Sequence, residues 1–213
     1  MRNKLRRLCI VSGSLLIFAA FCLCVFNMTE SRIAEKRSKT SLSELKAVIE
    51  KASSEAEPAA ASGTTMDDLF AEYEDPAPTE MPTVTIGDTG YCGYITIAEL
   101  GLELPVINDF SYDALNYAPC RYSGSIDGSD LIIAAHNFSS HFGRLGSLSD
   151  GSEIIFTDCS GNVFRYHIIS IEDISGSDVE EMLSNDSTPW ELTLFTCTLS
   201  GKSRITVRAK RID

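Results

Sequence analysis

The chain has 213 residues, of which 44% are hydrophobic and 23% are charged, and its formal net charge is −12. This acidic balance disfavours a nucleic-acid-binding protein, which normally presents a basic patch. A content of 14 glycines and 7 prolines excludes a collagen-like chain.

An uncharged run of 19 residues, from 8 to 26, follows a basic N-terminal tip. A helix of this length is sufficient to cross a hydrocarbon core of roughly 30 Å. No small-x-small cleavage site follows it, so we predict an uncleaved transmembrane signal anchor over residues 1–26 rather than a cleaved signal peptide. The basic tip favours a cytoplasmic N-terminus and an extracellular remainder, although a second basic group at residues 32–39 opposes this orientation.

Residues 27–88 are rich in Ala, Ser, Pro and acidic residues and contain few large apolar side chains. Such a segment has little to bury and is typical of a flexible tether. One short amphipathic helix is predicted within it, because a capping box at Ser41–Glu44 precedes Leu45 and Ile49 at helical spacing.

Residues 89–213 are long enough to form one packed core. Short apolar runs alternate with turn signals there, which predicts a mostly antiparallel barrel or sandwich of short strands. Two hairpins are expected, one around residues 158–161 and one around Ser200-Gly201. The predicted strands are 94–97, 102–107, 131–135, 153–157, 162–169, 191–196 and 204–210, and the predicted short helices are 112–116, 144–148 and 177–183.

The cysteines of this domain leave a disulfide open, and its acidic residues leave a calcium site open. A disulfide among Cys92, Cys120 and Cys159 is possible outside a membrane, although their spacing does not resemble a disulfide-stapled scaffold. The acidic segment 172–189 could attract calcium, which prefers carboxylate ligands, but a solvated segment of repelling charges is the favoured interpretation. No spacing typical of zinc occurs. We therefore predict no metal and no cofactor.

Cys197, His136 and Arg204 form a chemically coherent set. Cys197 and His136 each end an apolar strand, and Arg204 begins the strand after Cys197. In a hairpin, positions 197 and 204 would lie on neighbouring strands near the same end. A thiolate is a strong nucleophile, a histidine can return its proton to a leaving amine, and an arginine can stabilise an oxyanion. Each residue alone is typical of core packing or of a turn, whereas the set suits acyl transfer on an amide.

The stretch Thr193–Cys197, with Arg204 downstream, resembles the T-L-x-T-C…R signature of the sortases. The stretch Leu131–Asn137 resembles their strand followed by a histidine. Residues 94–125 are similar to their opening strands and to the helix before that histidine. The resemblance covers about residues 90–211, which is nearly all of the predicted external domain.

The resemblance implies a closed eight-stranded β-barrel with short helices, and a cysteine transpeptidase of the kind found in Gram-positive bacteria. Cys197 would attack a carbonyl in the C-terminal sorting signal of a secreted protein. His136 would act as general acid and base, and Arg204 would stabilise the oxyanion and hold the substrate. The thioester would then pass to an amine of a cell-wall peptide or of a pilin. Thr196, directly before the nucleophile, is expected to line the same groove.

Alternatives remain at three points. His141 is a less favoured acid/base residue than His136, because His136 directly follows its strand. The spacing to Phe142–Leu145 resembles class B and class D-like sortases more than class A, and the segment 172–189 would read the sorting signal.

The competing function is a non-catalytic extracellular β-barrel binding module on a membrane stalk. The implied partners are sorting-signal proteins, an amine acceptor and, through the N-terminal helix, membrane lipid.

Overall fold

The protein is described from a computed structural model, which covers residues 2–55, 81–128, 130–183 and 189–212. Within these residues a long N-terminal helix precedes a domain of short strands and short helices. The α-helices are α1 (Arg2–Glu55), α2 (Tyr112–Leu115) and α3 (Val179–Met182), and 3-10 turns occur at Ala98–Leu100 and Leu145–Ser147. The strands are β1 (Val84–Ile86), β2 (Thr89–Ile97), β3 (Leu102–Ile107), β4 (Cys120–Ser123), β5 (Leu131–Ala134), β6 (Glu153–Asp158), β7 (Val163–Ser175), β8 (Leu192–Cys197) and β9 (Ser203–Arg211).

The strands form one sheet in the order β1-β2-β3-β4-β5-β8-β9-β7-β6, and β6 also pairs with β2. This last pairing closes strands β2 to β9 into an eight-stranded barrel, while β1 pairs with β2 outside the ring. Closure removes the unpaired sheet edges that would otherwise be exposed. The predicted mostly β fold, a closed eight-stranded barrel with short helices, is confirmed.

The barrel interior is filled by apolar side chains that alternate along the strands with outward-facing ones. Those facing inward are almost completely buried and come from strands all around the ring, among them Ile95, Val106, Leu131, Phe156, Leu194 and Val207. A second apolar cluster lies outside the ring, where α1 packs on β2 and β3. The second cluster holds the N-terminal helix on the barrel.

The second half of α1 lies on the barrel through a stripe of buried residues three or four positions apart, from Ala34 to Ile49. Leu45 and Ile49 belong to the same apolar cluster as Tyr91 and Ile107. Burying one Leu or Ile side chain contributes roughly 1.5–3 kcal/mol. Lys46 of α1 also forms an ion pair with Glu103 of β3. The helix predicted around Leu45 and Ile49 is therefore part of a longer one, which also contains the predicted membrane segment.

The first half of α1 carries large apolar side chains that are mostly exposed, such as Leu15, Ile17, Phe18 and Phe21. The helix is long and apolar enough to cross a membrane, which makes it a membrane-anchor candidate. The predicted boundary at residue 26 falls inside α1, and β1 lies within the predicted tether 27–88. Residues 56–80 lie outside the described residues. The division into three zones stays a prediction.

Besides β1, three strands differ from the sequence prediction: β2 begins at Thr89 instead of at residue 94, β4 was not expected, and β7 is longer. The short strand β4 was not predicted, because its sequence Cys120–Ser123 is polar and brief. Strand β7 continues to Ser175, so the predicted recognition loop 172–189 begins later than expected. The extension was missed because it contains Glu172 and Asp173, and acidic residues are rare in strands. Both residues nevertheless pair with residues of β9.

Candidate active site

Cys197 and His136 are brought together by the parallel pairing of β5 and β8. The register sets Ala134 opposite Phe195, and the Ala135 amide donates to the Phe195 carbonyl at 3.2 Å. His136 comes two residues after Ala134, the last residue of β5, and Cys197, the last residue of β8, comes two residues after Phe195. Since residues two apart share a face of a sheet, both side chains point to the same side.

Arg204 lies directly opposite Cys197 in the antiparallel pair of β8 and β9. Within the described residues its guanidinium donates to main-chain carbonyls of its own turn, at 3.1 Å to Gly201 and 3.0 Å to Ser203. Gly176 packs against the guanidinium, and a side chain there would come within 3.3 Å of Nη1. The arginine therefore remains available to a ligand that carries negative charge.

The three side chains line one cleft of about 250 Å³. Cys197 is exposed, whereas His136 and Arg204 are half-buried. The rest of the wall is mostly apolar or aromatic and includes Phe110, Tyr112, Leu115, Tyr122, Met182 and Phe195. The predicted trio thus converges at the end of three adjacent strands, β5, β8 and β9.

An aromatic wall, formed by Phe110, Tyr112, Tyr122 and Phe195, extends along one side of the cleft. Their rings contact edge to face, with centroids 5.1 Å apart for Phe110 and Tyr122 and 5.4 Å apart for Tyr122 and Phe195. Such contacts hold the rings in fixed orientations. The sequence prediction missed this wall, although the concentration of aromatic residues around the predicted helix 112–116 was a usable signal.

Arg208 holds the short helix α3 against the barrel, on the side of the cleft where Met182 lies. It is almost completely buried and donates to the carbonyls of Glu181 and Met182 and, at 2.8 Å, to the hydroxyl of Thr193. It also forms an ion pair with Glu172 at 3.5 Å. Charge-assisted bonds of this kind fix a segment more firmly than neutral ones. Arg208, on β9, therefore fixes the position of Met182, on α3, in the wall of the cleft.

Thr196 does not join the trio in the cleft. It lies between Phe195 and Cys197 on β8, so the alternation of the strand turns its side chain to the opposite face. It is 3% exposed, and its hydroxyl has no hydrogen-bond partner among the described residues. If Thr196 contributes to the groove as predicted, its main chain or its neighbouring residues must contact the substrate.

His141 is fully buried and is not part of the cleft wall. Its ring is separated from that of His136 by Phe138, whose centroid lies 5.0 Å from the His136 ring and 5.6 Å from the His141 ring. Neither ring nitrogen of His141 has a hydrogen-bond partner in the part of the chain that the structure describes. This geometry favours His136 over His141 as the group that can reach a substrate.

Burial lowers the pKa of His136 below its ordinary value of 6.5. Its imidazole is therefore favoured in the neutral form near neutral pH, where one nitrogen can accept a proton. Burial lowers the pKa of His141 further, to about 4, and the positive charge that His136 can carry acts in the same direction.

His141 is expected to make folding stability pH-dependent. Between its ordinary pKa of 6.5 and its folded pKa of about 4, the unfolded chain binds a proton here that the folded chain does not. The free energy of unfolding should therefore fall as pH drops through this window, by about 3 kcal/mol in total. Denaturant unfolding of the wild type and of His141→Gln at pH 7 and pH 4.5 measures the effect. Equal losses in both proteins would contradict it.

Three cysteines are buried free thiols: Cys92, Cys120 and Cys159. No disulfide joins them. Burial raises the pKa of Cys92 and of Cys120 to about 12 and that of Cys159 to about 11, which keeps the thiols protonated and unreactive. Cys197 is the exposed cysteine of the barrel, and it stands in the cleft.

The described residues contain no group of three side chains that could hold a metal ion. Of the acidic segment 172–189, residues 184–188 lie outside the described residues. The predicted absence of a metal or cofactor therefore stays a prediction.

The closed β-barrel places a cysteine, a histidine and an arginine in the wall of one cleft. This arrangement defines a candidate active site with a cysteine nucleophile. The family model described as Sortase domain matches residues 95–212, more than half of the chain. The chain therefore belongs to the sortase family. Membership supports a cysteine transpeptidase activity. No curated protein matches the chain.

Solved structures of sortases have the same fold. The sortase D5 transpeptidase of Clostridium perfringens is 26% identical, with a TM-score of 0.51 over 58% of this chain and 79% of that one. Sortase C1 of Streptococcus suis is 25% identical, with a TM-score of 0.52 over 58% and 73%. Sortase E1 of Streptomyces coelicolor, solved with a tripeptide in its active site, is 20% identical, with a TM-score of 0.52 over 58% and 88%. Class A is also represented, so the class B- or class D-like assignment stays a prediction.

Proposed function

We propose that this protein is a membrane-anchored transpeptidase that cleaves a C-terminal sorting signal through a thioester on Cys197. The observation that carries the proposal is the convergence of Cys197, His136 and Arg204 on one cleft. The cleft is large enough for a few peptide side chains, and its aromatic wall suits apolar ones. The extended peptide would lie between this wall and α3.

In the first half of the reaction, the Cys197 sulfur attacks the carbonyl carbon of the scissile amide as a thiolate, and a C–S bond forms. His136 holds the thiol proton. The carbonyl oxygen becomes an oxyanion that the Arg204 guanidinium stabilises, because its planar fork donates in a fixed direction. When the C–N bond breaks, His136 gives the proton to the leaving amine. The C-terminal part of the substrate departs and the acyl group stays on Cys197.

In the second half, the amine of an acceptor attacks the thioester carbonyl. His136 removes a proton from this amine as the new C–N bond forms, and the C–S bond then breaks to return the thiolate. Arg204 stabilises the second oxyanion as it did the first. The acceptor class we propose is a primary amine of a cell-wall peptide or of a pilin.

The first half of α1 supports anchoring in the cell membrane, with the N-terminus in the cytoplasm and the barrel outside. In this orientation the substrate would be a secreted protein that carries its sorting signal at the C-terminus. Thr196 would support the site from behind, since its side chain is buried directly next to Cys197 on β8.

The two histidines provide a matched test of the proposed acid/base role. Full-length protein in detergent is incubated with a panel of sorting-signal peptides and a primary amine, and the transfer product is measured. We expect His136→Gln to lower the turnover by roughly 10²–10⁴-fold, because proton transfer is lost. His141→Gln should retain most of the turnover. The opposite ranking would assign the role to His141, and no transfer by the wild type across a broad panel would favour a non-catalytic binding module.

A further inference from the structure

We propose that the β8–β9 turn, residues 198–202, contacts the lipid bilayer through Leu199. This surface would hold the nucleophile, two residues away, at the level of the lipid headgroups. The inference rests on the proposed anchoring of α1 in the membrane and adds the orientation of the barrel on it.

The first step is that α1 joins the apolar segment to the barrel without a break. The helix is continuous from Arg2 to Glu55. It makes a polar contact with the barrel at Ser31, whose hydroxyl lies 3.5 Å from that of Ser140. Ser31 is five residues beyond Phe26, the last residue of the predicted membrane segment, which corresponds to about 7–8 Å along a helix. The barrel therefore begins close to the membrane surface.

The second step is that the barrel cannot pivot freely on this helix. Ala34, Ser38 and Leu45 are buried against it. The Arg37 guanidinium also lies over the Tyr117 ring at 4.7 Å from its centroid. These contacts extend over several turns of α1, so the direction of the helix through the membrane also sets the direction of the barrel.

The third step concerns Leu199 itself, which is 98% exposed. A single exposed leucine is ordinary on a protein surface. This one, however, lines the same open cleft, of about 800 Å³, as Cys24 and Met28 of α1. Cys24 belongs to the uncharged run 8–26 that would lie in the hydrocarbon core. The tip of the β8–β9 turn therefore lies at the depth where the apolar segment ends.

Charges at the same level suit a bilayer with anionic headgroups. Arg32 lines the cleft that Leu199 and Met28 share, and Lys202 is exposed in the turn. Glu35 lines this cleft too, and its carboxylate forms an ion pair with Lys39 at 2.6 Å. Lys and Arg side chains next to a membrane are attracted to anionic lipids. Apolar side chains next to basic ones are the combination that binds at a membrane interface, through buried apolar area and attraction to anionic lipids. The basic residues at 32–39, which opposed the predicted orientation, thus have a place at the outer headgroups.

The opposite end of the barrel provides an internal control. Cys159, in the β6–β7 turn, belongs to the same apolar cluster as Ile49 of α1. Ile49 is 18 residues beyond Ser31, or about 27 Å along the helix. Val163 begins β7 next to this turn and is 48% exposed. It is an exposed apolar residue far from the predicted membrane surface.

Tryptophan fluorescence tests the proposal on the full chain. The single tryptophan is first removed as Trp190→Phe, and Leu199→Trp or Val163→Trp is then introduced. Each protein is reconstituted into vesicles of phosphatidylcholine and phosphatidylglycerol, with or without bromine on the acyl chains, and vesicle association is checked by flotation. We expect bromolipid to quench the Leu199→Trp emission roughly twofold, because an interfacial side chain reaches the acyl boundary. The Val163→Trp emission should be unchanged.

The outcomes separate this inference from the anchoring on which it rests. Proteins that float while neither reporter is quenched would overturn the contact of the turn and leave the anchoring intact. Equal quenching of both reporters would also overturn it, since the barrel would then lie on its side. Failure to float would overturn the anchoring and the inference together. Both reporters are placed at exposed positions, so the thermal unfolding of each variant should match that of Trp190→Phe.

Discussion

Replacing Cys197 by alanine should reduce peptide transfer to background, a loss of roughly 10⁴-fold or more. The reason is that the other described thiols of the barrel cannot substitute for it. Cys92, Cys120 and Cys159 are buried, and burial raises the pKa of each to 11 or 12. The measurement is the rate at which full-length protein joins a sorting-signal peptide to a primary amine.

The matched control for this variant is Cys159→Ala, which removes a thiol at the other end of the barrel. It should lower stability, because a buried thiol packs as a small apolar group, and should leave transfer by the folded protein close to wild type. Residual transfer by Cys197→Ala at a substantial fraction of the wild-type rate would contradict the assignment of the nucleophile.

Arg204→Lys should lower kcat by roughly 10²-fold, as expected when an oxyanion donor is lost. Lysine retains the positive charge but presents a point charge instead of a planar fork. It would also lose the two bonds by which Arg204 is held, to the carbonyls of Gly201 and Ser203. Steady-state kinetics with a peptide substrate separates this loss into kcat and KM.

The same substitution at Arg165 is the control for Arg204→Lys. Arg165 is exposed on β7 and forms an ion pair with Glu153 at 2.9 Å, outside the cleft wall. Exposed ion pairs contribute little to stability, so Arg165→Lys should behave as wild type. Near-normal turnover of Arg204→Lys would show that the charge alone suffices and that the fork is not used.

The sequence was sufficient for part of the site and insufficient for the rest. The pairing of Cys197 with Arg204 follows from a hairpin with a short turn, because antiparallel neighbours in sequence are also neighbours in space. The parallel pairing of β5 with β8 is non-local, since Ala134 and its partner Phe195 are 61 positions apart in the chain. No local pattern encodes it. His136 could therefore be placed beside Cys197 only through resemblance.

Side-chain direction explains why Thr196 lies outside the cleft wall and why the aromatic wall was missed. Proximity in sequence suggested Thr196, but the alternation of β8 directs it away from the cleft while Phe195 and Cys197 face it. Phe110, Tyr112 and Tyr122 come from a loop, a short helix and a short polar strand. Their common surface arises only when the barrel closes.

The N-terminal helix illustrates a different limit. The composition of residues 27–55 predicts little burial on its own, because helices in proteins owe most of their stability to tertiary packing. Leu45 and Ile49 fulfil the predicted helical spacing, yet the helix begins far before them, at Arg2, and continues six residues beyond Ile49. Its contacts with β2 and β3 supply the packing that the local sequence does not reveal.

The covalent intermediate provides the most direct test of the proposed function. Full-length protein is mixed with a sorting-signal peptide in the absence of an acceptor amine, quenched in acid, and mapped by mass spectrometry after digestion. The proposal predicts the N-terminal part of the peptide joined as a thioester to Cys197, and release of this adduct when a primary amine is added. An adduct on another cysteine, or product formation with no adduct on Cys197, would contradict it.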